Sequence, residues 1–180
     1  MEEWMFNPHI FAPKFFPSEL FRIKIQLVEN ELHVIELVTD QSQFTQSSEE
    51  KSKMMKEICA DLEHYFTHGQ VDHRDVWTKY QLAEAFPRDF SKKVMELTTA
   101  IPTGTVQQYG DLARSLGSQA YQAIGNCLRR NPYPILIPCH RVVRAKGKGI
   151  GGFMGQTNPE SKALQIKQHL LAFEQFMTTR

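Results

Sequence analysis

The chain predicts an α+β fold in two units, residues 1–86 and 87–180, on three observations. An alternating apolar run followed by a helical stripe marks the first unit. A series of helical stripes broken by glycine and proline marks the second. Between them the charge changes sign: residues 1–89 carry 9 Lys and Arg against 16 Asp and Glu, net −7, and residues 90–180 carry 12 against 4, net +8. With 180 residues, 41% of them apolar, the chain can fill the cores of one or two small domains. The basic second unit suits a polyanion such as nucleic acid. No apolar run is long enough to cross a bilayer. Met1-Glu2-Glu3-Trp4 is acidic where a secretory signal would be positive. Cys59, Cys127 and Cys139 are odd in number and lack framework spacing, which predicts reduced thiols inside a cell.

Residues 1–18 are rich in aromatics and proline and show no clear period. Phe21, Ile23, Ile25 and Leu27 then alternate with polar residues. Glu29-Asn30-Glu31 makes a turn. Leu32 and Val34 continue on one face, with Ile35 and Leu37 on the other, so a β-hairpin is expected. Residues 40–50, rich in Gln and Ser, read as a loop. A helix is expected from about Ser48 to His68, with Met54, Met55, Ile58, Leu62, Tyr65 and Phe66 at helical spacing and Gly69 ending it. His64 and His68 share a face of it and His73 follows. No Glu or Cys stands at motif spacing, so solvated histidines and no metal are expected. Residues 69–88 read as a linker.

In the second unit a helix is expected over Asp89–Thr99, broken by Ile101-Pro102-Thr103-Gly104. Thr105 with Gln108 has the capping-box pattern for a helix running to about Leu116, and Gly117 stops it. Ser118 can cap the next helix, whose apolar stripe is Tyr121, Ile124 and Leu128. Helix, glycine turn, helix is the helix-turn-helix pattern. Ala123 and Gly125 are small enough for the second helix to approach a groove. Gly147–Gly155 is a glycine-rich loop without the spacing of a phosphate or dinucleotide motif. Asn158-Pro159 opens a last helix, and Glu174 stands near its C-terminal end, where the helix dipole disfavours a negative charge.

One stretch carries chemistry. In Asn131-Pro132-Tyr133-Pro134-Ile135-Leu136-Ile137-Pro138-Cys139-His140-Arg141-Val142-Val143 an apolar run is bracketed by prolines and ends in Cys-His-Arg. Pro138 forces the chain out of any sheet, so the cysteine stands at a break, where a neighbouring His or Arg can lower its pKa. A cysteine beside apolar residues is more often a small core side chain, and the longer string decides between the two. Pro138-Cys139-His140-Arg141-Val142, with Asn131-Pro132 before it, resembles the active-site signature of the O6-alkylguanine-DNA alkyltransferases, the methylated-DNA–protein-cysteine methyltransferases. The resemblance covers about 88–180. It also includes Ile101-Pro102-x-Gly104-x-Val106 with Tyr109, Gly152-Phe153-x-Gly155 and Leu170-Leu171-x-x-Glu174.

That resemblance implies a ribonuclease-H-like first domain and a winged-helix-like second one. It implies single-turnover transfer of an alkyl group from O6-alkylguanine, less so O4-alkylthymine, in double-stranded DNA to Cys139. His140 would take the thiol proton through a water, Glu174 would orient His140, Tyr109 would protonate the leaving guanine, and Asn131 would brace the turn. DNA contacts would come from Gln122, Ala123, Gly125, Asn126, Arg129, Arg130 and Arg141. Val142, Phe153, Met154 and Gly155 would form the base pocket. The resemblance further implies no cofactor, a monomer, no membrane, and a cytoplasmic location, nucleoid-associated if the source is bacterial. Three departures stand out. Gln122 occupies the place of the family's intercalating arginine, which predicts weaker or slower DNA engagement. The turn Gly117-Ser118-Gln119 is about one residue tight, and Gln156–Ser161 is longer than usual. A damage-sensing binder, a helix-turn-helix regulator with a structural Cys139 and a Cys-His hydrolase are the rival readings.

Overall fold

The computed structural model describes residues 1–40, 50–71 and 73–179. Its first half forms β1 (Glu2–Phe6), α1 (Pro8–Phe11), β2 (Arg22–Val28), β3 (Glu31–Val38) and α2 (Lys53–His68). The three strands pair antiparallel in chain order, with Trp4 opposite Ile25 and Ile25 opposite Ile35. Ile23, Ile25 and Leu27 point to the core while Arg22, Lys24 and Gln26 stay partly exposed, as the alternation requires. Glu29 and Asn30 both have positive φ, 52° and 65°, the signature of the two-residue turn whose twist matches a hairpin.

One face assignment is corrected. Leu32, Ile35 and Leu37 are all buried, because the register slips between Gln26 and Leu27 and a bulge changes the phase of the alternation. The patternless first residues supply β1, an edge strand too short to show a period. The helix expected from Ser48 begins at Lys53, since Ser52 accepts the N–H of Met55 as its cap. The loop expected over 40–50 lies, but for its end residues, outside the described residues.

The supposed linker is also corrected. It contains α3 (His73–Lys79) and a 3-10 turn, Leu82–Ala85, and it buries Val76, Tyr80, Leu82 and Phe86. Aromatic spacing of this kind is core packing. α4 (Asp89–Thr99) follows as expected, then β4 (Gln107–Gln108), α5 (Tyr109–Ser115), α6 (Tyr121–Arg129), a 3-10 turn over Cys139–Arg141, β5 (Val142–Val143) and α7 (Lys162–Thr178). Three helix starts move later. Asp111 rather than Gln108 makes the box at α5, accepting the Gln108 N–H at 2.8 Å. Ser118 caps Ala120, one residue before α6 begins. Ser161, not Asn158, caps α7. α7 also runs on to Thr178, so Glu174 is inside the helix and fully buried rather than at its end.

The apolar core is continuous across both halves. Its centre is aromatic. Phe16 meets Phe66 of α2 at 5.0 Å and Phe173 of α7 at 5.3 Å, both edge-on. Phe173 thereby locks α7 against the sheet half, and this places Glu174, its neighbour in sequence, between the two.

Candidate active site

The segment before Cys139 is folded by its own prolines and by one asparagine. Ile135, Leu136 and Ile137 are fully buried, and Ile137 N–H closes a turn onto Tyr133 O at 2.8 Å. Ile135 has φ of 77°, a strained setting for a β-branched residue, of the kind found where surrounding structure over-determines the backbone. Asn131 supplies that determination. Its Nδ2 donates to Ile137 O at 2.8 Å and to Cys139 Sγ at 3.3 Å, while its Oδ1 accepts the Tyr133 N–H at 3.0 Å.

Cys139, His140 and Arg141 then share one tight turn and fan out from it. Cys139 keeps 9% exposure on a cleft, whereas His140 and Arg141 have none. His140 and Arg141 both turn to Glu174. His140 Nε2 lies 2.8 Å from Glu174 Oε1. Arg141 donates from Nε to Oε2 and from Nη2 to Oε1, each at 2.9 Å, a bidentate pair. Its remaining donors reach Ile101 O at 2.7 Å and Thr103 Oγ1 at 3.1 Å. The Gly104 N–H and the Tyr65 hydroxyl complete the shell of the carboxylate, at 3.3 and 2.8 Å. Among the described residues His140 Nδ1 is buried without a hydrogen-bond partner, and it is the ring nitrogen left to accept a proton.

Burial works to raise the Glu174 carboxyl, but His140 and Arg141 outweigh it and hold the carboxyl well below the usual carboxylate range. Burial likewise lowers His140 and keeps its imidazole neutral against the pull of Glu174. The Cys139 thiol is pushed up by burial, despite the Asn131 hydrogen bond and the charge of Lys167. The expectation that a neighbouring arginine lowers the thiol is therefore corrected: Arg141 is spent on Glu174, and the resting group is a thiol that needs a base. The same geometry removes Arg141 from the proposed DNA contacts, since its side chain is inaccessible.

Cys139 lines a cleft of about 490 Å³ together with Tyr109, Gly125, Arg129, Phe153, Met154 and Gly155. Tyr109 stands close enough to the sulfur to feel its charge, and burial raises its hydroxyl. Phe153 is the buried wall, and Met154, in a two-residue turn closed by Phe153 and Gln156, projects at the rim with φ of 49°. Val142 does not line this cleft. It is buried behind it, and its carbonyl accepts from Lys167 Nζ at 2.7 Å. On α6, Gly125 and Arg129 face the cleft, whereas Ala123, Asn126 and Arg130 face a separate groove against α4, and Gln122 is exposed. Tyr121, expected in the apolar stripe, is 52% exposed at the cleft mouth.

Two buried groups escaped the sequence reading. Lys167 donates to Val142 O and to Gly152 O at 3.1 Å, and burial brings its ammonium down to about 8. The signal was present: a lysine in phase with Ala163, Ile166, Leu170 and Phe173 on the buried face of α7. Tyr65 had no such signal, because an aromatic beside Leu62 and Phe66 reads as core. His64 and His68 stack at 4.4 Å on the surface of α2. Among the described residues no group of three or more His, Cys, Asp or Glu is placed to hold a metal ion.

Residues 89–176 match the sequence profile of the 6-O-methylguanine DNA methyltransferase DNA-binding domain. A methylated-DNA–protein-cysteine methyltransferase of Archaeoglobus fulgidus is 36% identical over 119 residues, 66% of this chain and 74% of that protein. The fold resembles the O6-methylguanine-DNA methyltransferase of Pyrococcus kodakaraensis, with TM-score 0.62, 25% identity, and coverage of 86% of this chain and 91% of that one. It also resembles Mycobacterium tuberculosis OGT in complex with DNA, with TM-score 0.65, 19% identity and coverage of 98% and 94%. A shared fold, a matching domain and a relative at this identity over most of its length agree: the chain belongs to the methylated-DNA–protein-cysteine methyltransferase family.

Proposed function

We propose that the chain repairs DNA by direct reversal, moving an alkyl group from O6 of guanine to Cys139, once per molecule. The observation that carries this is a buried thiol at the floor of an open cleft, backed by a dry His140–Glu174–Arg141 network. The target atom is out of reach inside a duplex, so the base is flipped into the cleft. Arg129 and the exposed Arg144 and Lys148 sit around it, suited to the phosphate backbone. Val142 closes the back of the site rather than touching the base.

The thiol proton passes through a water to His140 Nδ1, and Glu174 accepts the Nε2–H and stabilises the imidazolium. The sulfur lone pair forms the S–C bond as the C–O6 bond breaks. The leaving guanine takes a proton from Tyr109, which is protonated at neutral pH, and the proton held by His140 then restores the tyrosine, so that the thiol's proton ends on guanine. The product is a thioether, which water does not cleave, so the protein is consumed. Lys167 lies close enough to favour the thiolate as it forms.

The sheet with α2 is ribonuclease-H-like, and α4–α6 with the β4–β5 pair is winged-helix-like, dividing the chain at 86/87. O4-alkylthymine is the lesser substrate, the protein acts as a monomer, and its place is the cytoplasm. Among the described residues no helix is long and apolar enough to cross a membrane.

Intact mass after mixing with a duplex holding one O6-methylguanine tests the reaction. One methyl added to the wild type, mapped to Cys139 and absent in Cys139→Ala, is the expected result. Tight binding to that duplex without a mass change would make the protein a damage sensor instead.

A further inference from the structure

Tyr65 belongs to α2, in the half of the chain that holds none of the residues assigned to the reaction. Its ring is fully buried and packs edge-on against Phe66 at 4.9 Å and Phe173 at 5.7 Å. Packing alone would be served by phenylalanine. The hydroxyl instead reaches across 109 residues of sequence and donates to Glu174 Oε1 at 2.8 Å. That is the oxygen on which His140 Nε2 rests at 2.8 Å, and Arg141 Nη2 lies 2.9 Å from it.

We propose that Tyr65 is a positioning residue for the transfer: its hydroxyl pins the Glu174 carboxylate from the N-terminal half and takes a share of the charge that would otherwise stabilise the His140 imidazolium. Among the described residues the carboxylate has five donors. Arg141, His140 and the Gly104 N–H hold it from the C-terminal half, and Tyr65 reaches it from the other side. A donor on Oε1 withdraws charge from the His140 bond, because donors on one oxygen compete for the same lone pairs. The groups facing the His140–Glu174 pair are therefore Tyr65 from α2, Cys139 and Arg141 from the tight turn, the Gly104 N–H from the loop after α4, and Lys167 from α7. Arg141 and Lys167 oppose the imidazolium and Glu174 favours it. Tyr65 moderates Glu174, and burial keeps its hydroxyl protonated, hence a donor.

The consequence for transfer rests on the function proposed above, but the link itself is measurable without it. In Tyr65→Phe the ring packing survives and the hydroxyl is lost. The His140 midpoint, followed by NMR of the imidazole Cε1–H, is expected to move up by roughly one pH unit. The acid limb of the single-turnover rate should move up with it, slowing transfer several-fold along that limb and little at pH 8. Site-specific 3-fluorotyrosine at position 65, a stronger donor of nearly the same shape, should move the midpoint down. In Glu174→Gln the Tyr65→Phe change should have no further effect on the midpoint. An unmoved midpoint in both position-65 variants would overturn the proposal and leave Tyr65 a core residue. A midpoint that moves in a wild-type background without methyl transfer would instead sink the repair reading and leave the Tyr65–Glu174–His140 link standing.

Discussion

The two halves are buried to a similar depth and with different chemistry. The N-terminal half packs Phe6, Phe16, Phe21, Ile23, Ile25 and Leu62 into an apolar core of interlocking rings. The C-terminal half buries His140, Arg141, Lys167 and Glu174. Among the described residues every fully buried charged or imidazole side chain is in this half. Ionised groups in a dry interior are tolerated only with complete hydrogen bonding, and the Glu174 carboxylate has it. One half rests on apolar packing, while the other buries ionised groups that are tolerated only as a fully paired network, so that losing one member is costly.

Removing the carboxylate should break that contrast most severely. Glu174→Ala leaves Arg141 buried without its partner, and a loss of about 3–5 kcal/mol is expected in urea denaturation, together with loss of alkyl transfer. A large core truncation in the other half, Leu62→Ala, should cost a similar ~2–5 kcal/mol, yet the molecules that remain folded should transfer at the wild-type rate. If both variants lost rate in proportion to stability, the two halves would not differ as described.

Lys167→Met should slow transfer about tenfold, the order of effect expected from one lost charge interaction near the sulfur, while leaving Val142 O and Gly152 O without their donor. Wild-type transfer should also weaken as pH rises past about 8, where Lys167 loses its proton, and the variant should lack that limb in a single-turnover pH series.

Acid should act most strongly on the C-terminal network, since the lowered carboxyls of the other half, Glu3 and Glu19, lie at the solvent-facing surface. His140 is held below its ordinary 6.5, so the unfolded chain binds a proton that the folded one refuses, and stability should fall as pH drops below about 6.5. Glu174, also held low, adds a second loss below about 4.5, its ordinary value. Chemical denaturation against pH should show both steps, and His140→Gln should remove the first.

Asn131→Ala should cost ~1–3 kcal/mol by leaving the Tyr133 N–H unsatisfied and Ile137 O with the Cys139 N–H alone, and it should slow transfer as the turn under Cys139 loosens. Smallest of all, Asn30→Ala in the hairpin turn should cost about 1 kcal/mol, because Asn tolerates the left-handed setting better than Ala. Its methylation rate in the mass assay should be that of the wild type.

How much was legible follows from how local each feature is. The hairpin, α4 and the glycine stop at Gly117 are written in neighbouring residues, since alternation, 3.6-residue spacing and backbone freedom act within a few positions. The Asn131–Val143 string was legible for the same reason: its prolines and Asn131 shape the turn locally, and the identities Cys139 and His140 state the chemistry. Helix starts were misplaced because several residues there can cap and only the tertiary path selects one, as Ser161 over Asn158 and Asp111 over Gln108 show. Arg141 is the instructive miss. The resemblance placed it among the DNA contacts, and the fold turned it inward to Glu174.

By itself, then, the sequence determined the chemistry at Cys139 and the helices and strands around it, because covalent identity and short-range periodicity carry that information. Only the tertiary structure decided that Glu174 lies deep inside α7, that Lys167 is a buried cation behind the sulfur, and that Tyr65 reaches the carboxylate from the other half. Each depends on which faces meet across long sequence separations. No local pattern encodes that choice, and packing of the aromatic core makes it.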